Sequence, residues 1–327
     1  LVNFSSQRKV KVYIVGGTLR DHILQKFTSD IDLTGKNISE LATKFTKSLN
    51  FSSVPLDKTP GRSTTRVILP NGEHFDCTDL QGNIIKEDLS QRDFTINAMG
   101  QELSNFLGEN KEIIDPLEGQ KDIEKKSIRT TSSYSLKSDP LRMLRAFRFS
   151  ATLNFTIDEK TLKEISINKE DIAVIAKERV WQEFFSFFSA SNTGELIRAM
   201  KETGLLLCLL PSPFPDWKKM SIHYNRLEHI LLNIDSYFPG RNFNLPEKAL
   251  IKLALLLKEI DSNPLENANN KNLGLPNTYE FLKSLKFLQT FSDDEASFVQ
   301  SFCKDLKLCS HDLGQLSHDL YYLLYLM

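Results

Sequence analysis

Val15–Thr34 reads VGGTLRDHILQKFTSDIDLT, and it brings two adjacent glycines, an Arg-Asp pair and an Asp-x-Asp triplet into one short span. Asp30 and Asp32 alternate with Ile31 and Leu33. On an extended strand both carboxylates therefore share one face, and the apolar pair points into a core. Two acidic groups that close repel unless a cation lies between them. A hard divalent ion with oxygen ligands answers that repulsion, and Mg²⁺ is the usual one beside phosphates. A solvated strand end would account for the pair taken alone. Upstream, Val10–Val15 (VKVYIV) is a short β-branched run that stops at Gly16 and Gly17 and gives way to the helical spacing of Leu19, Ile23 and Leu24. At such a turn backbone N–H groups can approach a phosphate, and the helix N-terminus adds a favourable partial charge. Arg20 is expected in the first helical turn, with the fork geometry that suits phosphate oxygens. Gly-Gly before a helix is by itself an ordinary tight turn; with an Asp pair one helix later it reads as a phosphate and metal site.

Working outward, Arg66–Leu69, Pro70-Asn71-Gly72 and Glu73–Thr78 spell a hairpin, since Asn-Gly between alternating runs is a strong turn signal. Phe75 and Cys77 face one way and Asp76 the other, which makes Asp76 a candidate third carboxylate; without the pair it could join, it would be a solvated strand residue. From about Ser138 onward helical periodicity dominates: Leu141, Leu144, Ala146, Phe149 and Leu153 are spaced for one helix, and Val180, Phe184, Phe185 and Phe188 for another. Pro211–Pro215 and Asp261–Asn277 read as breaks. In Ser138–Phe149, SDPLRMLRAFRF, Asp139, Arg142, Arg145 and Arg148 recur every third residue as a polar stripe on an apolar rod. The stripe is either a solvated basic face or a set of ligands for phosphates and base edges.

The chain has 327 residues, enough for two or more domains. Its formal net charge is −1 and 40% of its residues are hydrophobic, an ordinary globular composition. Apolar runs such as Leu205–Leu210 and Leu253–Leu257 are too short to span a bilayer, so no membrane partner is expected. Cys77, Cys208, Cys303 and Cys309 have neither CxxC nor zinc spacing and read as reduced thiols of a cytoplasmic protein. No secretory signal is visible, and the start at Leu1 points to a trimmed N-terminus. With charge so balanced, any nucleic-acid contact must come from a local patch.

GGTLRD with DID, QRDFTINAM (Gln91–Met99), DPLEGQKDI (Asp115–Ile123), SDPLRMLRAFRF and ERVWQEF (Glu178–Phe184) stand in the order, and at about the spacing, of the bacterial-type tRNA nucleotidyltransferase and poly(A) polymerase family. The resemblance covers roughly residues 10–190. It implies an α+β fold: a polymerase-β-like nucleotidyltransferase head with a small mixed sheet over 1–135, then an all-α region divided into a neck over 136–200 and a body and tail over 201–327. It also implies template-independent transfer of a nucleotide from CTP or ATP to a tRNA 3′ hydroxyl. Carried over residue by residue, Asp30, Asp32 and Asp76 would hold Mg²⁺ and carry catalysis. Gly16, Gly17 and Arg20 would cradle the triphosphate and Arg92 would contact the nucleotide. Asp139 and Arg142 match the pair that reads the base, and Arg145 and Arg148 match further nucleotide and phosphate contacts.

The chemistry suits those residue types. A carboxylate can accept from the exocyclic amine of cytosine or adenine while a guanidinium donates to the ring nitrogen. Uracil and guanine present the reverse pattern, and each unpaired buried group costs about 1–3 kcal/mol.

The chain departs from the family pattern in three places. Ser138 stands where Glu is common, a change that bears on nucleotide preference or only on helix capping. The connection from Cys77 to Gln91 is short, a feature that in the family accompanies enzymes adding C but not the terminal A. The C-terminal half resembles the family weakly: Leu227-Glu228-His229 with Ala254–Ile260 looks like an HD-type phosphohydrolase segment whose His-Asp has become Lys258-Glu259, and His311-Asp312 and His318-Asp319 read as structural or solvated. Lys121, Lys125, Lys126 and Arg129 are either RNA phosphate contacts or, more simply, a solvated face. The leading function is tRNA 3′-end nucleotide addition, as CCA or CC only. A poly(A) polymerase and a catalytically inactive RNA-binding protein are the alternatives, and the sequence leaves oligomeric state open.

Overall fold

The computed structural model of the chain describes residues 1–28, 30–108, 112–209, 217–237, 248–249, 251–253 and 255–256. It divides into two compact units after Ser138. The expected breaks at Pro211–Pro215 and Asp261–Asn277, the Lys258-Glu259 doublet, both His-Asp dipeptides, Cys303 and Cys309 lie outside the described residues.

The first unit is organised by six strands, β1 (Val12–Val15), β2 (Ile31–Gly35), β3 (Ser52–Asp57), β4 (Thr64–Ile68), β5 (His74–Asp79) and β6 (Gly100–Glu102), in the order β3-β4-β5-β2-β1-β6. β2 and β5 run parallel and the other neighbours antiparallel. Helices α1 (Val2–Ser6), α2 (Gly16–Ile23), α3 (Ile38–Leu49), α4 (Ile85–Ser90), α5 (Leu103–Leu107), α6 (Gly119–Glu124) and α7 (Ser135–Ser138) complete it. On α3, Ile38, Leu41, Ala42 and Phe45 recur at helical spacing and are buried. Ile14, Leu33, Cys77 and Thr65 form a cross-strand row of buried side chains on one face of the sheet. The Asn-Gly hairpin forms as its sequence specifies, with Leu69 N–H donating to Glu73 O at 2.8 Å and Gly72 at φ +87°. Ile31 was expected in the core beside Leu33, but it opens β2 at the sheet margin and is 40% exposed against 4% for Leu33.

The second unit, expected to be all-α, is mainly helical in its described part, with a two-residue strand at Thr156–Ile157: α8 (Arg142–Leu153), α9 (Glu159–Asn168), α10 (Lys177–Ser189), α11 (Gly194–Glu202), α12 (Leu205–Leu209), α13 (Trp217–Leu232) and α14 (Ile234–Tyr237). Phe184, Phe187 and Phe188 of α10 and Met143, Leu144 and Phe147 of α8 are core residues. None of the described helices is long and apolar enough to cross a membrane.

Candidate active site

The two glycines begin α2 directly: Val15 is the extended cap residue and Gly16, at φ +69°, is the first helical residue. A side chain at Gly16 would be strained, and its Cβ would press to 3.0 Å from Arg92 Nη1 and 3.5 Å from Asp32 Oδ2. Glycine is what lets a guanidinium, a carboxylate and the helix start meet here. Thr18, in the first turn of α2, ties the helix to the acidic strand: its hydroxyl donates to Asp30 O and accepts from Asp32 N–H, both at 2.9 Å.

Asp32 on β2 and Asp76 on β5 are direct register partners, and Arg66 on β4 is the partner of Asp76. The three side chains therefore share one face in a row. Arg66 clasps Asp76 with two bonds, Nε to Oδ1 at 2.8 Å and Nη2 to Oδ2 at 2.9 Å. Asp30 is open, 82% exposed at its side chain, with His74 Nε2 3.9 Å from its Oδ1. Asp32 lies deeper, and burial is the chief cause that raises its pKa above the usual carboxylate value; Arg92 opposes the rise, Asp76 and Asp30 add to it, and Arg20 opposes it weakly. A cation with oxygen ligands would relieve that crowding, so the donor set suits a divalent ion. Among the described residues no three His, Cys, Asp or Glu side chains converge into a preformed cage, consistent with Asp76 being held by Arg66 and Asp30 standing in solvent. Cys77, next to Asp76 but on the core face, has its thiol pKa pushed up to about 12, first by burial, which makes it inert.

Arg92 reaches Gly16 while bound to Asp88 of α4, Nε at 3.1 Å and Nη2 at 3.0 Å, and Asp88 also accepts from Gln81 N–H at 3.0 Å. Asn83 N–H donates to Glu87 at 2.7 Å, so the short connection after β5 is stapled to α4. Arg20 corrects the sequence reading. Because the helix starts at Gly16, Arg20 falls in its last turn rather than its first. Its guanidinium makes a bidentate pair with Asp21 at 2.8 and 2.9 Å and donates to Asn97 at 2.7 Å. DPLEGQKDI is scaffolding for this corner: Asp115 accepts from the N–H groups of Gly119 and Gln120, a Cβ on Gly119 would collide with the Thr95 carbonyl, and Asp122 binds Thr95 Oγ1 at 2.5 Å and Arg129. Arg129 and Lys121, each holding an acidic partner, are thus partly committed within the unit.

In the second unit α8 begins at Arg142, so Asp139 precedes the helix instead of lying on it. Asp139 Oδ1 accepts from Leu141 N–H at 3.2 Å, and its Oδ2 is 3.1 Å from Arg179 Nη2. Ser138 does not cap α8, since it closes α7 and donates back to Ser135 O at 2.7 Å. Arg145 and Arg148 share Glu183 of α10, at 3.1 and 2.6 Å, and Arg148 lies over the Phe149 ring at 4.1 Å. ERVWQEF thus supplies Glu183, which holds Arg145 and Arg148, and Arg179, which pairs with Asp139. Thr18, Arg66, Asp88, Asn97, Arg179 and Glu183 are site or supporting residues that sequence reasoning passed over. Two were legible in principle: the hairpin register fixes Arg66 opposite Asp76, and Asp88 and Arg92 stand at i,i+4.

A glycine turn at a helix start, set against carboxylates on a small mixed sheet, is an arrangement that can receive phosphates and a divalent ion. Residues 12–129 match the family described as Poly A polymerase head domain, and 154–215 match that described as Probable RNA and SrmB-binding site of polymerase A. The chain is 33% identical over 199 residues to the CC-adding tRNA nucleotidyltransferase of Shouchella clausii (strain KSM-K16), a match covering 60% of this chain and 49% of that protein. In structure it is similar to a tRNA-processing enzyme with CTP, at a TM-score of 0.79 and 21% identity over 99% of this chain and 87% of the other. It is likewise similar to the Thermotoga maritima CCA-adding enzyme complexed with tRNA-CCA, at 0.73 and 23% over 99% and 76%. Over residues 12–129 and 154–215 the chain is similar to the tRNA nucleotidyltransferase and poly(A) polymerase family. It spans about half the length of the curated relatives it matches.

Proposed function

We propose that the protein is a cytoplasmic, template-independent nucleotidyltransferase that adds CMP, and not the terminal AMP, to the 3′ end of tRNA. The observation that carries the reading is the meeting of Gly16, Arg92 and Asp32 at one point, with Asp76 in register beside Asp32. In this reading residues 1–135 are the catalytic head, 136–200 a neck that reads the base, and 201–327 a body and tail.

Asp30, Asp32 and Asp76 would hold a divalent cation, Mg²⁺ by its fit to carboxylates and phosphates. Bound there, the ion neutralises the triphosphate and favours the deprotonated 3′ hydroxyl. The chain's own groups do the rest. N–H groups of the Gly16-Gly17 turn and the Arg92 guanidinium receive the triphosphate of CTP or ATP, oriented because Asp88 fixes Arg92. Arg20, oriented by Asp21 and Asn97, stands beside Gly17 as a further contact for the triphosphate. Asp139 accepts from the amine of cytosine or adenine and Arg142 donates to the ring nitrogen. Arg145 and Arg148, kept apart from each other's charge by Glu183, stand as further phosphate contacts.

Restriction to C is supported by the stapled connection between β5 and α4, which lacks the length for a loop that could re-form the site for ATP, and by the similarity to a CC-adding relative. Extension of a tRNA lacking its 3′ end, followed nucleotide by nucleotide with CTP, ATP and both, tests the proposal. Addition of two C residues and arrest is expected. Robust A addition after CC removes the restriction, a long A tail makes the protein a poly(A) polymerase, and no Mg²⁺-dependent incorporation removes the enzyme reading altogether.

A further inference from the structure

The carboxylates lie at the start of β2 and the glycine turn at the end of β1, which runs antiparallel to it. The opposite end of the same strands carries another feature. Where β2 ends and β1 begins, a basin of about 820 Å³ opens, rimmed by Arg8, Lys9, Lys11, Lys36, Lys44 and Lys86. Only one carboxylate, Glu40, lines it, and it is engaged by Lys44 at 2.7 Å. Lys11 approaches Glu102 at 3.4 Å, an exposed pair of little worth. Lys9, Lys36 and Lys86 hold no carboxylate among the described residues. A chain of formal net charge −1 therefore gathers six cations against one acid at a single place. The basin also has an apolar floor: Tyr13, Leu41, Leu80 and Ile85, with Ile84 at the edge and 55% exposed. The twelve-residue α3 starts there too, its Asn37 cap making no side-chain bond, so the positive end of the helix adds to the field.

A cationic rim over an apolar and aromatic floor is the arrangement that holds a nucleic-acid strand, with phosphates on the rim and a sugar or base on the floor. We propose that this basin is an RNA-holding surface of the head, gripping the backbone of the RNA away from its reacting 3′ end. The proposal deepens the function given above and rests on its choice of RNA as substrate. Arg8, Lys9 and Lys11 precede residues 12–129, the segment matched to the head domain, so the rim is completed by residues outside that match. Arg8, Lys9 and Lys11 are neighbours in the chain, and the fold brings Lys36, Lys44 and Lys86 to join them.

The test uses the full chain and the 3′-truncated tRNA. Binding is measured without nucleotide as a function of salt for the unmutated protein, for Lys9→Gln/Lys36→Gln/Lys86→Gln and for the matching Lys→Arg triple. Each phosphate contact contributes about 0.7–0.9 to the slope of log K against log salt, so the Gln triple is expected to flatten the slope by about 2 and weaken low-salt binding about tenfold or more. The Arg triple should keep both. CMP incorporation at saturating tRNA should be unchanged in the Gln triple, with the loss appearing in KM for RNA. An unchanged slope with all three proteins folded overturns the proposal. So does a Gln triple that loses affinity for free ATP alone, which would mark a small-nucleotide pocket instead. If the unmutated protein incorporates no CMP, the enzyme reading fails while the slopes still judge the surface.

Discussion

Two carboxylates, the buried Glu228 of the second unit and the partly buried Asp32 of the first, have opposite surroundings. Glu228 on α13 accepts from Thr193 N–H and Thr193 Oγ1 at 2.7 Å, from Gly194 N–H at 3.2 Å and from Lys252 Nζ at 2.8 Å. Lys252 also donates to Ala190 O, and Tyr224 OH bonds Thr193 Oγ1. Every partner is supplied by the chain, so Glu228 caps α11 and locks three segments. Asp32 is surrounded by charge without being satisfied: its side chain accepts no hydrogen bond among the described residues, two other carboxylates crowd it, and its pKa is raised, by burial first. The saturated buried acid is architecture, and the one crowded by other charges and open to solvent is the candidate for binding a ligand. Within the segment that resembles an HD-type relic, Glu228 is a structural cap.

Substitutions separate the two roles. Asp32→Ala should lower single-turnover CMP incorporation at least about a thousandfold, the loss of several kcal/mol of charge stabilisation, without lowering the thermal midpoint. Glu228→Ala should do the converse. Leaving Lys252 buried and unpaired should cost about 3–5 kcal/mol in urea unfolding, with turnover per folded molecule retained. If Glu228→Ala instead abolished turnover at full stability, the division of roles would be wrong.

Asp139→Ala tests base reading. Discrimination of CTP over UTP should fall about 5- to 150-fold, the equivalent of 1–3 kcal/mol from one unpaired group, and unchanged discrimination would remove Asp139 from that role.

The raised pKa of Asp32 sets a sign for pH. An acid whose folded pKa lies above its unfolded value costs stability wherever it is ionised in the native state, and the cost vanishes below the unfolded value. Asp32→Asn should therefore be more stable than the unmutated protein at neutral pH, and the gain should fade as pH drops toward the ordinary value of 3.8. A gain that persisted into acid would place its cause elsewhere.

The smallest effect is expected at Arg66, a part-exposed clasp on Asp76. Arg66→Met should lower the Mg²⁺ concentration for half-maximal activity by about two- to fivefold, the scale of a surface ion pair. A higher requirement would mean that Arg66 positions Asp76 for the ion instead of competing with it.

The sequence showed the local part of this picture. The β-branched run, the glycine turn and the Asn-Gly hairpin are short-range signals, and they form as read. Asp32 stands beside Asp76 because strand register is geometric, whereas Asp30 falls just before β2 begins. What stayed hidden depends on distance along the chain: Glu183 lies 38 and 35 residues from Arg145 and Arg148, and Lys252 lies 24 from Glu228. No periodicity carries such pairings. Arg20 was misplaced for a local reason, since a helix that begins on the glycine itself shifts every later residue by part of a turn.

Cation binding decides whether Asp30, Asp32 and Asp76 are where a divalent ion goes. Mn²⁺ is titrated into the full chain in the presence of CTP and followed by electron paramagnetic resonance, for the unmutated protein, Asp32→Ala and Glu228→Gln. Saturable binding that is lost in Asp32→Ala and kept in Glu228→Gln is expected. Equal binding by all three proteins would contradict it.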